Sequence, residues 1–150
     1  MAHAMLTHHC RAHGWQRRVR VESAGTHVAI SGQRADARAL SVLEKNGIKP
    51  GRLRSRALSA GDFDAYDQIL VMDRNHLSYI AEHHARPHRA EVRLVMDYAA
   101  DGGHDAVVPD PYYANEQAFQ HTFDLLEQAC DGIVQRLLYP RLRLAGTGDS

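Results

Sequence analysis

"QILVMDRNHLSYIAEHH", residues 68–84, decides the fold. Ile69 to Met72 make an unbroken apolar run, bounded by polar residues and too short for a buried helix. Such runs belong to parallel strands covered on both faces. The residues after Asp73 predict a helix. Asp73 therefore stands where a strand ends and a helix begins, a position that suits a capping acid.

The same alternation continues in both directions. "EVRLVMD" (91–97) predicts a second buried strand. "RVRVESAG" (18–25) predicts a third, with Val19 and Val21 alternating with polar neighbours before a small-residue loop. Residues 1–13 predict a helix closed by Gly14. "ADARALSVLEKNG" (35–47) predicts another, with Ala39, Leu40 and Leu43 sharing a face, Lys45 at the negative end and Gly47 closing it. "SAGDFDAY" (59–66) starts a short helix, with Ser59 as cap and Asp62 three residues on. From Asn115 to Leu138, Phe119, Phe123, Leu126, Cys130, Ile133 and Leu137 fall at spacings of three and four, the stripe of a long amphipathic helix. The tail after Pro140 is expected to fray, so the domain covers 1–140 and 141–150 is its loose end.

Strands alternating with helices predict an α/β, three-layer sandwich: a parallel sheet flanked by helices. In such sheets the site lies in the loops at the carboxyl ends of the strands. Here those are "ESAGTH" (22–27), "MDRN" (72–75) and the stretch after Met96 that leads to Asp110. One feature does not fit. The chain opens in a helix, and a helix packs on a parallel sheet when it joins two strands by a right-handed crossover. The first of those strands is expected to be central to the sheet and is not found within 1–150.

The 150 residues suit one domain, and 44% hydrophobic with 24% charged residues is usual for a soluble globular protein. No stretch is apolar enough to span a bilayer, and the first residues have no signal-peptide pattern. Two cysteines make no disulfide framework, so a cytoplasmic location is the default reading. A formal net charge of zero argues against a nucleic-acid partner. The charge is uneven, however. Arg11, Arg17, Arg18 and Arg20 precede the first acid, Glu22, and no Lys or Arg occurs between Asp101 and Asp131. Solvated faces of opposite sign explain this, and so does an anion near the basic end.

"VVPDPYYANE" (107–116) holds the residues that ask for chemistry. Pro111 restricts Asp110 to an extended conformation, which aims its carboxyl at little entropic cost. A simple turn reads equally well from these residues alone, but it does not require Tyr112 and Tyr113 side by side. Eleven histidines invite a metal reading, with His9, Cys10 and His13 at helical spacing. They form no regular motif, and no metal is expected. Cys10 lies near a helix end where the dipole opposes a thiolate, and Cys130 lies on the apolar stripe.

Taken together, "VESAGT", "SRALSAGDFDAYDQILVMDRNHL" and "VPDPYYANEQAFQHTFDLLEQACDGIVQRL" resemble the low-molecular-weight protein tyrosine phosphatases, bacterial members above all. The Asp-Pro-Tyr-Tyr run before the last helix is the most specific part. The resemblance implies hydrolysis of phosphotyrosine through a phosphocysteine, without a cofactor. The substrate would be a phosphotyrosine protein or a small aryl phosphate. Asp110 is implied as general acid, Tyr112 and Tyr113 as walls for the substrate ring, and Ser23 and Asp73 as supports of the phosphate loop. Where many members carry a His in that network, Leu53 stands here.

That loop reads Cys, five residues, Arg, then Ser/Thr-Pro-Met-Ala in the family, and Met1-Ala2 matches its end. The nucleophile and the arginine are therefore expected outside 1–150, as for a start assigned at an internal methionine. Anion binding by helix N–H groups and a bidentate Arg, and attack by a thiolate, are what such a loop supplies. Cys10 does not replace it, because Arg17 is one residue too far along. A truncated pseudophosphatase or binding module is the alternative from another class. Arsenate reduction on the same fold needs further redox cysteines, and Cys130 is misplaced for that.

Overall fold

The computed structural model describes residues 1–100, 106–112 and 114–145, with side chains through Arg143. Strand β1 (Gln68–Val71) pairs in parallel with β2 (Glu91–Leu94), in the register Gln68 to Glu91 and Val71 to Leu94. Alternation along β1 separates two cores. Leu70 and Met72 pack against the cluster built by helices α1 (Ala2–Ala12), α2 (Ala37–Lys45) and α5 (Glu116–Gly132), around Met5, Leu43 and Phe123. Ile69 and Val71 turn to the other face, toward Phe63 of α3 (Asp62–Ala65) and Ile80 of α4 (Arg74–His83). The expected layering, a parallel sheet between helices, is what the chain forms.

Local chemistry explains the helices. Asp36, Asp73 and Asn115 each accept a backbone N–H from the first turn of the helix they cap. Gly14 and Gly47 close α1 and α2 with φ of 72° and 77°, in the left-handed region glycine tolerates. The buried face of α2 is Ala39, Val42 and Leu43, with Leu40 only half-buried. Ser59 N–H donates to Asp62 Oδ2 at 2.9 Å, the reciprocal bond that a cap with an acid three residues on predicts. Met5 and Leu43 are fully buried, each side chain contributing about 1.5–3 kcal/mol over its exposed state.

Several expectations are corrected. Residues 18–25 form no strand; Val19 and Val21 pack instead against the Cys10, Trp15 and Val134 cluster, and only Gly25 makes an isolated parallel bridge, to Ala57. A strand needs a neighbour along its hydrogen-bonding edge, and none of the described residues supplies one. For the same reason β1 is half-buried except at Val71 rather than covered throughout. The second strand stops at Leu94, where the chain tightens into a 3₁₀ turn, Val95–Tyr98. The last helix does not stop at Pro140. After α5 the chain widens into a π segment, Ile133–Leu138, and continues as α6, Tyr139–Ala145. Pro140 falls in the first turn of α6, where its missing N–H costs little. Leu142 packs on the Trp15 cluster, and Arg18 Nη2 donates to its carbonyl at 2.8 Å. Residues 146–150 of the predicted tail lie outside the described residues. Among the described residues no helix is long and apolar enough to cross a membrane.

Candidate active site

The carboxyl end of β1 gathers the first elements of the site. Asp73 Oδ1 accepts His76 N–H at 3.0 Å, and His76 Nδ1 takes Met72 N–H at 3.2 Å. Asp73 is therefore the cap of α4, the plainer of its two sequence readings. Met72 O accepts Val108 N–H at 2.9 Å, which ties the segment leading to Asp110 onto the end of the strand.

Asp110 is exposed, and its Oδ1 accepts Tyr112 N–H at 3.0 Å across Pro111. Pro111 O accepts Ala114 N–H at 2.9 Å, and α5 starts immediately afterwards. The turn is held from α2 by Arg38. Its Nη2 donates to Tyr112 O at 2.8 Å, and its Nη1 to Ala114 O at 2.9 Å. Its own guanidinium is fixed by a fork on Asp36, 3.1 Å from Nε to Oδ1 and 2.9 Å from Nη2 to Oδ2. It lies 4.6 Å from the Phe119 ring centroid and 5.9 Å from that of Tyr112. Sequence reading missed Arg38, because it lies on a helix 74 residues from Tyr112 and looks like an ordinary surface cation. Tyr112 is 56% exposed and presents an open ring. Tyr113 lies outside the described residues.

Ser23 stands on the neighbouring loop, where its Oγ meets His3 Nδ1 of α1 at 2.9 Å. Burial lowers the His3 pKa and the chain's α-amino group adds to this, against a smaller opposing pull from Glu22. Ser23 and Asp110 are not in contact; Met72 is what links their surroundings. Leu53 packs against the main core and takes no part in a polar network.

Between residues 18–26 and 65–72 runs a trench of about 560 Å³, reaching Met72 and His76. Leu6, Cys130, Ile133 and Leu137 are part of its lining. Asp62 lies against it, held in a fork by Arg56 at 2.9 and 3.2 Å.

Neither cysteine is placed as a nucleophile. Burial pushes the Cys10 thiol up, and burial with the nearby Glu127 and Asp131 pushes Cys130 up to about 12. Both are buried and protonated at neutral pH. His9 does not pair with Cys10 and His13; its Nε2 meets Glu127 Oε1 at 3.0 Å. His9, Glu127 and Asp131 bring ligand atoms within 4.8 Å of one another, the one group of metal-ligating residues among those described.

Comparison with known proteins bears on this arrangement. The low molecular weight phosphotyrosine protein phosphatase family matches residues 1–140. Low molecular weight protein-tyrosine phosphatase A of Mycobacterium tuberculosis is 33% identical over 135 residues, covering 89% of this chain and 80% of its own. A protein tyrosine phosphatase from Entamoeba histolytica superposes with a TM-score of 0.80 at 26% identity, over 93% of this chain and 88% of its own. Vibrio vulnificus Wzb in complex with benzylphosphonate superposes with a TM-score of 0.74 at 25% identity, over 91% and 87%. With a parallel sheet between helices, an Asp-Pro-Tyr-Tyr turn tied to the end of β1 and a match over nearly its whole length, this chain belongs to the low molecular weight phosphotyrosine protein phosphatase family.

Proposed function

We propose that the chain serves the hydrolysis of phosphotyrosine, with Asp110 as general acid and Tyr112 and Tyr113 flanking the substrate ring. The observation that carries this is the placement of Asp110. Its turn is tied to the end of β1 by Val108 and clamped from α2 by Arg38, while its carboxyl stays open to solvent. A general acid needs that combination, a fixed backbone and an accessible proton. The benzylphosphonate on the Vibrio vulnificus relative, an aromatic ring one carbon from phosphorus, supports an aryl phosphate substrate.

In this reading a thiolate attacks phosphorus, the bond from phosphorus to the phenolic oxygen breaks, and Asp110 protonates the leaving oxygen. Asp110, now a carboxylate, takes a proton from the water that attacks the phosphocysteine, and the P–S bond breaks to release phosphate. Cys10 and Cys130 are protonated and buried, so the thiolate and its phosphate loop come from residues outside 1–150. Ser23, paired with His3 beside Met1, supports that loop. A catalytically dead binding module is the second reading, favoured by the protonation of both thiols. The reading frame upstream separates the two: about 15–20 codons for a strand and a loop carrying Cys, five residues and Arg, against a stop or frameshift.

The acid is tested in a chain with that loop in place. Asp110→Ala should fold and lose about 10²–10⁴ in turnover of tyrosine-like substrates. Tyrosine's phenolate, with a conjugate-acid pKa of about 10, needs the proton, whereas a nitrophenolate leaves without it. Transient kinetics of the phenol burst with graded leaving groups should show a penalty that grows with leaving-group pKa. An equal penalty for every leaving group would remove Asp110 from the role.

A further inference from the structure

The trench has two backbone walls. Glu91 N–H donates to Asp67 O, which sets the phase of the parallel ladder. Ile69 and Val71 therefore bond β2, while Gln68 and Leu70 turn their amides and carbonyls to the opposite edge, toward the trench. On the facing side, the amides and carbonyls of residues 20–24 make no backbone hydrogen bond among the described residues. The two walls run the same way: Arg20 lies over the Tyr66 ring just before β1, and His27 packs on Tyr79 of the helix that leaves it. Between them the lining is apolar, with Val21, Leu58, Leu70, Ile133 and Leu137. The charged pair at the wall, Arg56 and Asp62, is already matched. The π segment, a helix form that gathers at functional sites, contributes Ile133, Leu137 and Leu138 to the same lining.

A small apolar molecule would fill such a trench but leave the Leu70 and 20–24 backbone groups unpaired. A helix would satisfy neither wall, since its own groups are bonded internally. An extended strand meets both, with side chains directed alternately to the two cores. Among the described residues each apolar strand is already in use, β1 and β2 with each other and Val108 on Met72. We propose that the trench is an acceptor for an extended, uncharged, Val/Ile-rich strand of about five residues, donated by a separate polypeptide and running parallel to β1. This stands apart from the phosphatase reading, because it concerns strand pairing and no chemistry.

The test uses the 150-residue chain and a synthetic peptide, six Val and Ile residues between Lys pairs for solubility. A control peptide carries proline at alternate positions and has no N–H to donate there. Amide exchange is followed by NMR at Leu70 and at residues 20–24. At a peptide concentration one hundred times Kd, exchange at these amides should slow by about 100-fold, and the proline peptide should leave it unchanged. Unchanged exchange with the first peptide, or equal slowing with both, overturns the proposal. Slowing that grows with protein concentration and needs no peptide assigns the trench to a second copy, and also overturns it. If the chain alone gives a collapsed spectrum, both peptides are added during refolding. Dispersed resonances with the apolar peptide only support the acceptor. Equal spectra with both peptides, or dispersion only when the strand is tethered ahead of Met1, refute a separate donor.

Discussion

Asp62→Ala is the perturbation whose size the geometry allows to be worked out. Asp62 is 9% exposed and accepts from Arg56 Nη1 at 2.9 Å, Arg56 Nη2 at 3.2 Å and Ser59 N–H at 2.9 Å. A hydrogen bond to a charged group contributes about 1.5–3 kcal/mol, and losing one member of a wholly buried pair costs about 3–5 kcal/mol. The Arg56 side chain is 36% exposed, so water takes over part of what it loses. The orphaned Ser59 N–H at the start of α3 has less relief. The net cost should be about 2–3 kcal/mol, or about 4–12 °C in Tm for a chain of this size. Urea and thermal unfolding followed by circular dichroism measure it, and a cycle with Arg56→Met should show about 1–2 kcal/mol of coupling. The pH dependence has a definite sign. Burial alone would raise the Asp62 pKa, but Arg56 and the Ser59 N–H outweigh it and hold it below the usual carboxylate value. Its stabilisation is therefore complete above the unfolded value of about 3.9 and fades as pH falls through the lower folded one. The gap between wild type and Asp62→Asn should close with acid over that window. A cost under about 0.5 kcal/mol, the size of an ordinary surface change, or no coupling to Arg56, would refute the reasoning.

Gly132→Ala should cost at least about 3 kcal/mol despite alanine's better helix propensity, because a Cβ there meets Tyr98 O at 1.6 Å; a urea midpoint near wild type would contradict the packing of α5 on the 3₁₀ turn. Cys10 and Cys130 should resist iodoacetamide at pH 7 in the folded chain and react on unfolding, as their buried, protonated thiols require; mass spectrometry showing labelling within minutes at either would count against it. With a working phosphate loop, Arg38→Ala should lower kcat by up to about 10² with a smaller change in KM, since a misplaced acid is costly. Arg38→Lys should not restore it, because an ammonium lacks the fork that spans Asp36, Tyr112 O and Ala114 O.

The parts legible in the sequence are those settled by faces and by near neighbours. Ile69 to Met72 reads as a strand because Leu70 and Met72 meet one core and Ile69 and Val71 the other. Asp36, Asp73 and Asn115 cap within three residues of themselves, so local chemistry reveals them. The Asp110 turn is legible for the same reason, through Pro111 and the Tyr112 N–H. Arg38 is not, since its partners Tyr112 and Ala114 come beside it only when α2 packs on α5. The misread strand at 18–25 has a different cause. Apolar alternation describes faces, whereas a strand is completed at its edges by a neighbour from elsewhere. Val19 and Val21 keep the alternation and stay half-buried beside Trp15, yet residues 20–24 form no ladder. Their edge faces the trench, and so does the edge of Leu70. The pattern at 18–25 therefore predicts a strand under one condition, that a third backbone lies between Val21 and Leu70; β1, which already has β2 on its other edge, keeps its strand without it.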